Sequence, residues 1–133
     1  MTNASLSRLF LVFLAFVVIL YGAYVRLTDA GLGCPDWPGC YGKLVVSELD
    51  DPNFSFAPGT DYGKAYREMV HRYLAGTLGL GILALFVHYW VRESKRTLFS
   101  SETILLPMVL FQAFLGLLTV TMLLKPLKVK DLF

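Results

Sequence analysis

The sequence lacks charge over three long stretches, and this absence sets its structural class. Residues 9–25 and 104–124 contain no Asp, Glu, Lys or Arg, and the one basic side chain of residues 74–91 is His88. Each run approaches or exceeds the ~18 apolar residues that suggest a bilayer span. An open sheet could not satisfy its edge groups in lipid. We therefore predict an all-α membrane protein with three transmembrane helices. The second helix is predicted to begin at Thr60 or Asp61 as N-cap, outside the membrane, and to span it over about residues 70–91.

Other absences narrow the function. No basic stripe interleaved with aromatic residues is present, so nucleic acid is not an expected partner, whereas membrane lipid is. The 133 residues leave room for one domain at most, and no internal repeat or low-complexity tract is visible. The first apolar run exceeds the ~7–15 residues of a signal-peptide core and is followed by no convincing small-x-small cleavage site. We predict that it is retained as a helix.

Cysteine is scarce, since Cys34 and Cys40 are the only two, and both fall in a loop rich in glycine and proline. Their proximity predicts a disulfide, with two reduced structural cysteines as the alternative. Disulfides persist on the oxidising side of a membrane, which would place loop 26–69 outside and the N-terminus in the cytoplasm. The raw count of Lys and Arg near the helix ends favours the opposite orientation, so the cysteines decide.

The start of the second helix carries the candidate chemistry. Glu68 and His71 are three residues apart and therefore share a helix face, which continues as the small residues Ala75 and Gly79. Such a face could leave a groove for a broad planar ligand beside an imidazole and a carboxylate. The alternative is a helix start decorated with interfacial charges. His88 lies among aromatic residues and is interpreted as an interfacial residue rather than a metal ligand.

The third helix carries polar and small residues on one face, Gln112, Gly116 and Thr119. A buried amide in a membrane helix needs a partner, so this face either bonds a neighbouring helix or lines a pocket. Pro126 predicts the end of this helix near residue 124, and residues 128–133 are interpreted as a polar tail.

Taken in order, three motifs resemble the N-terminal part of heme A synthase, over about residues 9–127: the loop Gly31-Leu32-Gly33-Cys34 to Trp37-Pro38 to Cys40, the helix start Glu68-x-x-His71-Arg72, and Gln112-x-x-x-Gly116-x-x-Thr119. The resemblance implies an oxidoreductase that converts a methyl group of heme O to the formyl group of heme A for cytochrome oxidase. It implies His71 as an axial heme iron ligand and Glu68 as the catalytic carboxylate. Cys34 and Cys40 correspond to the family's cysteine pair in the first outer loop.

The resemblance also implies cofactors and partners. Heme O is the substrate, and heme b is bound in a second half of the family's proteins. Heme O synthase, cytochrome oxidase assembly factors or a second chain are expected partners, in a bacterial cytoplasmic membrane. The family continues into a fourth helix with a second histidine, where this sequence has its tail at 128–133. We therefore expect residues 1–127 to form an incomplete four-helix heme-binding half-bundle and to act as a partial synthase.

Three arginines at the same predicted interface could bind heme propionates as ion pairs, namely Arg26, Arg67 and Arg72. The alternative for each is ordinary interfacial snorkelling. Two other functions stay open for the chain. One is a non-enzymatic membrane heme-binding or assembly subunit. The other is a membrane thiol–disulfide oxidoreductase using Cys34 and Cys40, which is less favoured because such enzymes prefer a C-x-x-C pair.

Overall fold

A computed structural model describes residues 3–93 and 97–130 as three long helices joined by a folded loop. The helices are α1 (Asn3–Leu27), α2 (Tyr62–Arg92) and α3 (Ser101–Lys130), and a short 3₁₀ helix, Val46–Leu49, lies between α1 and α2. No strand occurs in these described ranges, which confirms the all-α class. Each of the three helices includes a segment long and apolar enough to cross a membrane. The protein is therefore an integral membrane protein.

The helices extend beyond the predicted apolar spans. Asp61 caps α2 by accepting the backbone N–H of Lys64 at 2.8 Å, so the helix begins well before residue 70. Helix α3 continues to Lys130, which corrects its predicted end near residue 124. Pro126 removes one backbone N–H and its ring crowds the preceding turn, but the leucines and lysines around it are strong helix formers. Residues 131–133 lie outside the described part of the chain.

Helix α2 is the central element, because it packs against both α1 and α3. A Cβ added to Gly81 would lie 2.5 Å from the side chain of Leu11, so the glycine lets α1 come close. An ion pair of 2.6 Å between Arg8 and Glu102 joins the starting ends of α1 and α3. The three helices therefore run up, down and up, with α2 between its neighbours.

The loop from residue 28 to residue 61, called here the disulfide loop, forms its own small core on the first turns of α2. The buried residues of that core are Cys34, Cys40, Leu49, Ala65 and Met69. The rings of Tyr41, Phe54 and Phe56 pack edge to face beside them. Many large apolar side chains of the helices are exposed, as expected of surfaces that face lipid. The disulfide loop thus fixes the surroundings of the candidate site at the start of α2.

Candidate functional site

The disulfide loop is docked tightly on the start of α2. Cys34 and Cys40 form a disulfide, as predicted, and both are almost fully buried, at 0% and 1% exposure. A Cβ added to Gly33 would lie 2.7 to 2.8 Å from the backbone of Lys64 and Ala65. Because two backbones meet there, only glycine fits without displacing one of them. Buried sulfurs are also poorly placed for thiol exchange, which needs access for an attacking thiolate, so the oxidoreductase alternative loses support.

Glu68 lies under this loop with both carboxylate oxygens bonded. The residue is 4% exposed overall. Oε2 accepts the backbone N–H of Cys34 at 2.8 Å, and Oε1 accepts a bond from Nη2 of Arg72 at 2.5 Å. A buried carboxylate needs such partners to offset the loss of water. Glu68 is therefore held in one position at the junction of loop and helix.

Arg72 is committed to the same junction. Its Nη1 donates to the backbone carbonyls of Asp36 at 2.7 Å and Gly39 at 2.6 Å, while Nη2 binds Glu68. The Asp36 carboxylate in turn accepts the N–H groups of Tyr41 and Gly42, which fixes the turn that presents the two carbonyls. The Arg72 side chain thus donates three hydrogen bonds within the protein, and it is 13% exposed. This arrangement counts against Arg72 as a propionate contact.

His71 faces α1 and is positioned by packing. A Cβ added to Gly22 would lie 2.8 Å from Cε1 of His71, so the ring rests on the backbone of α1. The ring of Tyr21 stacks beside it, with centroids 6.4 Å apart and planes 20° apart. Nδ1 is buried and makes no hydrogen bond within the described part of the chain. This ring nitrogen is not committed to the fold, unlike both oxygens of Glu68.

Arg67 stands one helix turn before His71, on the same face of α2. Its Nε is buried and finds no hydrogen-bond partner among the residues that the structure describes. Arg26, by contrast, is exposed near the end of α1. The three arginines predicted together thus differ: Arg72 is bonded to the loop, Arg26 is exposed, and Arg67 lies beside His71 with an unsatisfied donor.

The predicted pocket lining is divided between two surfaces. A Cβ on Gly79 would meet Val109 of α3 at 3.9 Å, so this glycine lies at the contact between α2 and α3. Ala75 is half-buried on the same face. Three predicted residues of α3 are exposed, Gln112, Gly116 and Thr119. The small residues of α2 therefore serve helix packing at least in part, and the polar face of α3 is uncovered in the described structure.

His88 lies at the opposite end of α2 and does not join this cluster. The two histidines are separated by about 25 Å of helix rise. His88 is exposed and lines a surface groove of about 490 Å³ together with apolar residues of α2 such as Leu83 and Val87. A second cavity, of about 170 Å³, lies between His88, Arg8 and Glu102. Both cavities are remote from Glu68 and His71.

Two features of the site have no signal in the sequence, namely the bonds of Arg72 to the loop and the stacking of Tyr21 on His71. The ion pair of Glu68 and Arg72 does have one, because the two residues are spaced at i and i+4. No local pattern indicated that Arg72 would also bind two loop carbonyls, because that depends on how the disulfide loop folds. The stacking of Tyr21 on His71 likewise depends on the register between α1 and α2.

Comparisons with known proteins agree with the resemblance. A family model described as cytochrome oxidase assembly protein, COX15-CtaA, matches residues 7–132. The chain is 43% identical to Heme A synthase of Shewanella oneidensis over 133 residues, covering 93% of this chain and 38% of that protein. It is 33% identical to Heme A synthase of Lysinibacillus sphaericus over 85 residues, covering 59% and 24%.

A further relative carries a different name. The chain is 35% identical over 72 residues to Protoheme IX farnesyltransferase of Thermus thermophilus, covering 53% of this chain and 10% of that protein. The chain thus spans well under half the length of the curated relatives it matches here. No solved structure matches the chain.

Proposed function

The chain belongs to the COX15-CtaA family of cytochrome oxidase assembly proteins, and from this premise we propose that it serves heme A biosynthesis. The reaction proposed is oxidation of a methyl group of heme O to the formyl group of heme A. The Shewanella oneidensis and Lysinibacillus sphaericus relatives are both named for this product. The proposal depends most on one observation: the buried Nδ1 of His71 has no hydrogen-bond partner in the described residues.

The residues around His71 fit an iron porphyrin as substrate. A neutral imidazole is a suitable ligand for heme iron. Gly22 lets the His71 ring lie directly on the backbone of α1, where a Cβ would come within 2.8 Å of Cε1, so the imidazole is held in place by packing. The Tyr21 ring offers a further apolar surface on the same side.

The iron porphyrin supplies the redox chemistry that amino-acid side chains lack. The chain's own residues bind and orient it. His71 holds the iron, and Arg67 binds a propionate through its unsatisfied Nε, since carboxylate–guanidinium bonds are among the strong hydrogen bonds. Glu68, fixed one turn from His71, is the group that accepts or relays protons. Arg26 remains a second candidate for a propionate, whereas the bonds of Arg72 assign it to the loop.

The proposed reaction also needs parts of the enzyme that these 133 residues do not supply. The chain covers 38% of the Shewanella oneidensis relative. We propose that a fourth helix with a second histidine packs against the uncovered face of α3, whose exposed residues are Gln112, Gly116 and Thr119. A second, heme b-binding half would complete the enzyme. Heme O synthase and cytochrome oxidase assembly factors are the proposed partners.

The Glu68→Gln variant tests the catalytic role. It keeps the shape of the side chain and removes the titrating proton. In a synthase completed with the remaining helices, we expect heme A formation to fall by about 100-fold or more, within the range for loss of a general acid or base. Heme A extracted from membranes is the measurement, and Glu48→Gln, at an exposed position of the loop, is the control. Normal heme A formation by Glu68→Gln would remove Glu68 from the mechanism.

The disulfide supports one orientation of the chain, because such bonds persist on the oxidising side of a membrane. We propose that the disulfide loop lies outside and the N-terminus in the cytoplasm. Ser55 is exposed in the loop, and Ser101 is exposed at the start of α3, on the other side of the membrane. A membrane-impermeant maleimide should label Ser55→Cys in intact cells and Ser101→Cys only in inverted vesicles. The reverse pattern would contradict the orientation.

A further inference from the structure

The guanidinium of Arg72 closes a ring of hydrogen bonds between the disulfide loop and α2. Arg72 binds the carbonyls of Asp36 and Gly39 and one oxygen of Glu68, and the other oxygen of Glu68 accepts the N–H of Cys34. We propose that Arg72 is a positioning residue that couples the redox state of the Cys34–Cys40 disulfide to the position of Glu68. The consequence for turnover rests on the proposed function, whereas the coupling itself does not.

The geometry explains why the residue is arginine. Asp36 and Gly39 both lie within the segment that the disulfide closes, and their carbonyls converge on one nitrogen of Arg72 at 2.7 and 2.6 Å. The planar guanidinium presents a second nitrogen to Glu68 at the same time, with its donors in a fixed fork. A lysine ammonium is a compact point charge on a flexible stem and lacks this fixed fork.

Because Glu68 and Arg72 form a buried ion pair, each depends on the other to stay in place. The side chain of Glu68 is 6% exposed and that of Arg72 is 13% exposed, so both charges are largely removed from water. Removing one partner of a buried ion pair leaves the other without compensation. The loop cannot leave α2 without breaking the Cys34 N–H bond to Glu68 and both carbonyl bonds to Arg72. Loop docking and the placement of Glu68 are therefore one event.

The disulfide controls whether the two carbonyls converge. With the bond closed, residues 34–40 form a short ring, and the chain between the cysteines has little freedom. Opening the bond restores freedom to that segment and raises the entropy cost of presenting both carbonyls to Arg72. Coupling between two such sites is reciprocal. Whatever the closed disulfide contributes to holding Glu68, the contacts of Arg72 contribute equally to keeping the disulfide closed.

A redox titration of the purified 133-residue chain tests this coupling without heme. Two electrons and two protons pass from dithiothreitol to the Cys34–Cys40 bond, giving two protein thiols and the cyclic disulfide of the reagent. Thiols are trapped with a mass-adding maleimide under denaturing conditions and counted on gels. We expect Arg72→Gln to be half-reduced at about tenfold less dithiothreitol than the unaltered chain, within the usual range of coupling between sites.

Graded variants separate positioning from a general loss of stability. Arg72→Lys should lie between Arg72→Gln and the unaltered chain, since it restores the charge but not the fork. Arg92→Gln removes an exposed arginine at the far end of α2, outside the ring of hydrogen bonds, and should leave the midpoint, the dithiothreitol concentration at half-reduction, unchanged. A midpoint in Arg72→Gln equal to that of the unaltered chain would overturn the proposal.

A second pair of variants keeps the test decisive if Arg72→Gln does not accumulate. Gly33→Ala places a Cβ against the backbone of α2 and should push the loop away from Glu68 without changing any charge, whereas a Cβ on Gly31 meets nothing within 4 Å. We expect Gly33→Ala to ease reduction and Gly31→Ala to leave it unchanged. An unshifted midpoint in Gly33→Ala also overturns the coupling. A shifted midpoint in a chain that binds no heme would support the coupling and count against the proposed function.

Discussion

Replacing His71 with alanine is expected to abolish the Soret band that the chain acquires when it is purified with added heme. The imidazole is the proposed iron ligand, and its ring is placed by Gly22 and Tyr21 rather than by hydrogen bonds. Loss of an outer-shell partner typically lowers metal affinity by about 10- to 100-fold, and loss of a ligand itself should exceed this. Absorption spectra during heme titration measure the effect.

His88→Ala is the matched control, because it removes the second histidine of the sequence at the far end of α2. Its spectrum should match that of the unaltered chain. Gly22→Ala is expected to weaken heme binding in part, since the added Cβ displaces the His71 ring, whereas a Cβ on Gly116 meets nothing within 4 Å and Gly116→Ala should have no effect. An unchanged Soret band in His71→Ala would contradict the assignment of the ligand.

The membrane architecture could be predicted from the sequence because the signal is long and simple. Three runs without Asp, Glu, Lys or Arg leave the backbone no stable alternative to helices in lipid. Helix ends were less predictable. Pro126 predicted the end of α3, but the helix continues past it. A proline loses one backbone hydrogen bond and crowds the preceding turn, which weakens a helix without always ending it when its neighbours favour that conformation.

Only those features of the candidate site that depend on residues close in sequence could be predicted. The spacing of Glu68 and His71 predicted that they lie within one turn of α2, and the Cys34–Cys40 disulfide follows from the proximity of the cysteines in a loop. The different roles of Arg67 and Arg72 do not follow from spacing. They arise because the disulfide loop folds over one side of α2 and leaves the side that faces α1 to His71. The side of α2 that is covered depends on the tertiary packing of some thirty loop residues. Sequence patterns do not define the conformation of a loop of roughly that length.

Expressed alone, the 133-residue chain is expected to make no heme A. The sequence contains two histidines, and α2 separates them by about 25 Å of helix rise, so one copy can offer a single histidine to an iron bound at His71. With His71 as the one histidine available, a second ligand of a bound iron would have to come from another molecule. The polar face of α3 is also uncovered, with Gln112 exposed, so a porphyrin in this half-bundle would lack a wall.

The test uses a bacterial strain that lacks its own heme A synthase but makes heme O. With the chain as the sole source of activity, extracted membranes should contain heme O and no detectable heme A. Co-expression of the remaining helices of a family member should restore heme A, because they would supply the second histidine and cover α3. The same co-expression with His71→Ala in the chain should fail, which ties the recovery to this site rather than to the added helices. Heme A formed by the chain alone would show that one histidine and an open bundle suffice, and the proposed dependence on further helices would be wrong.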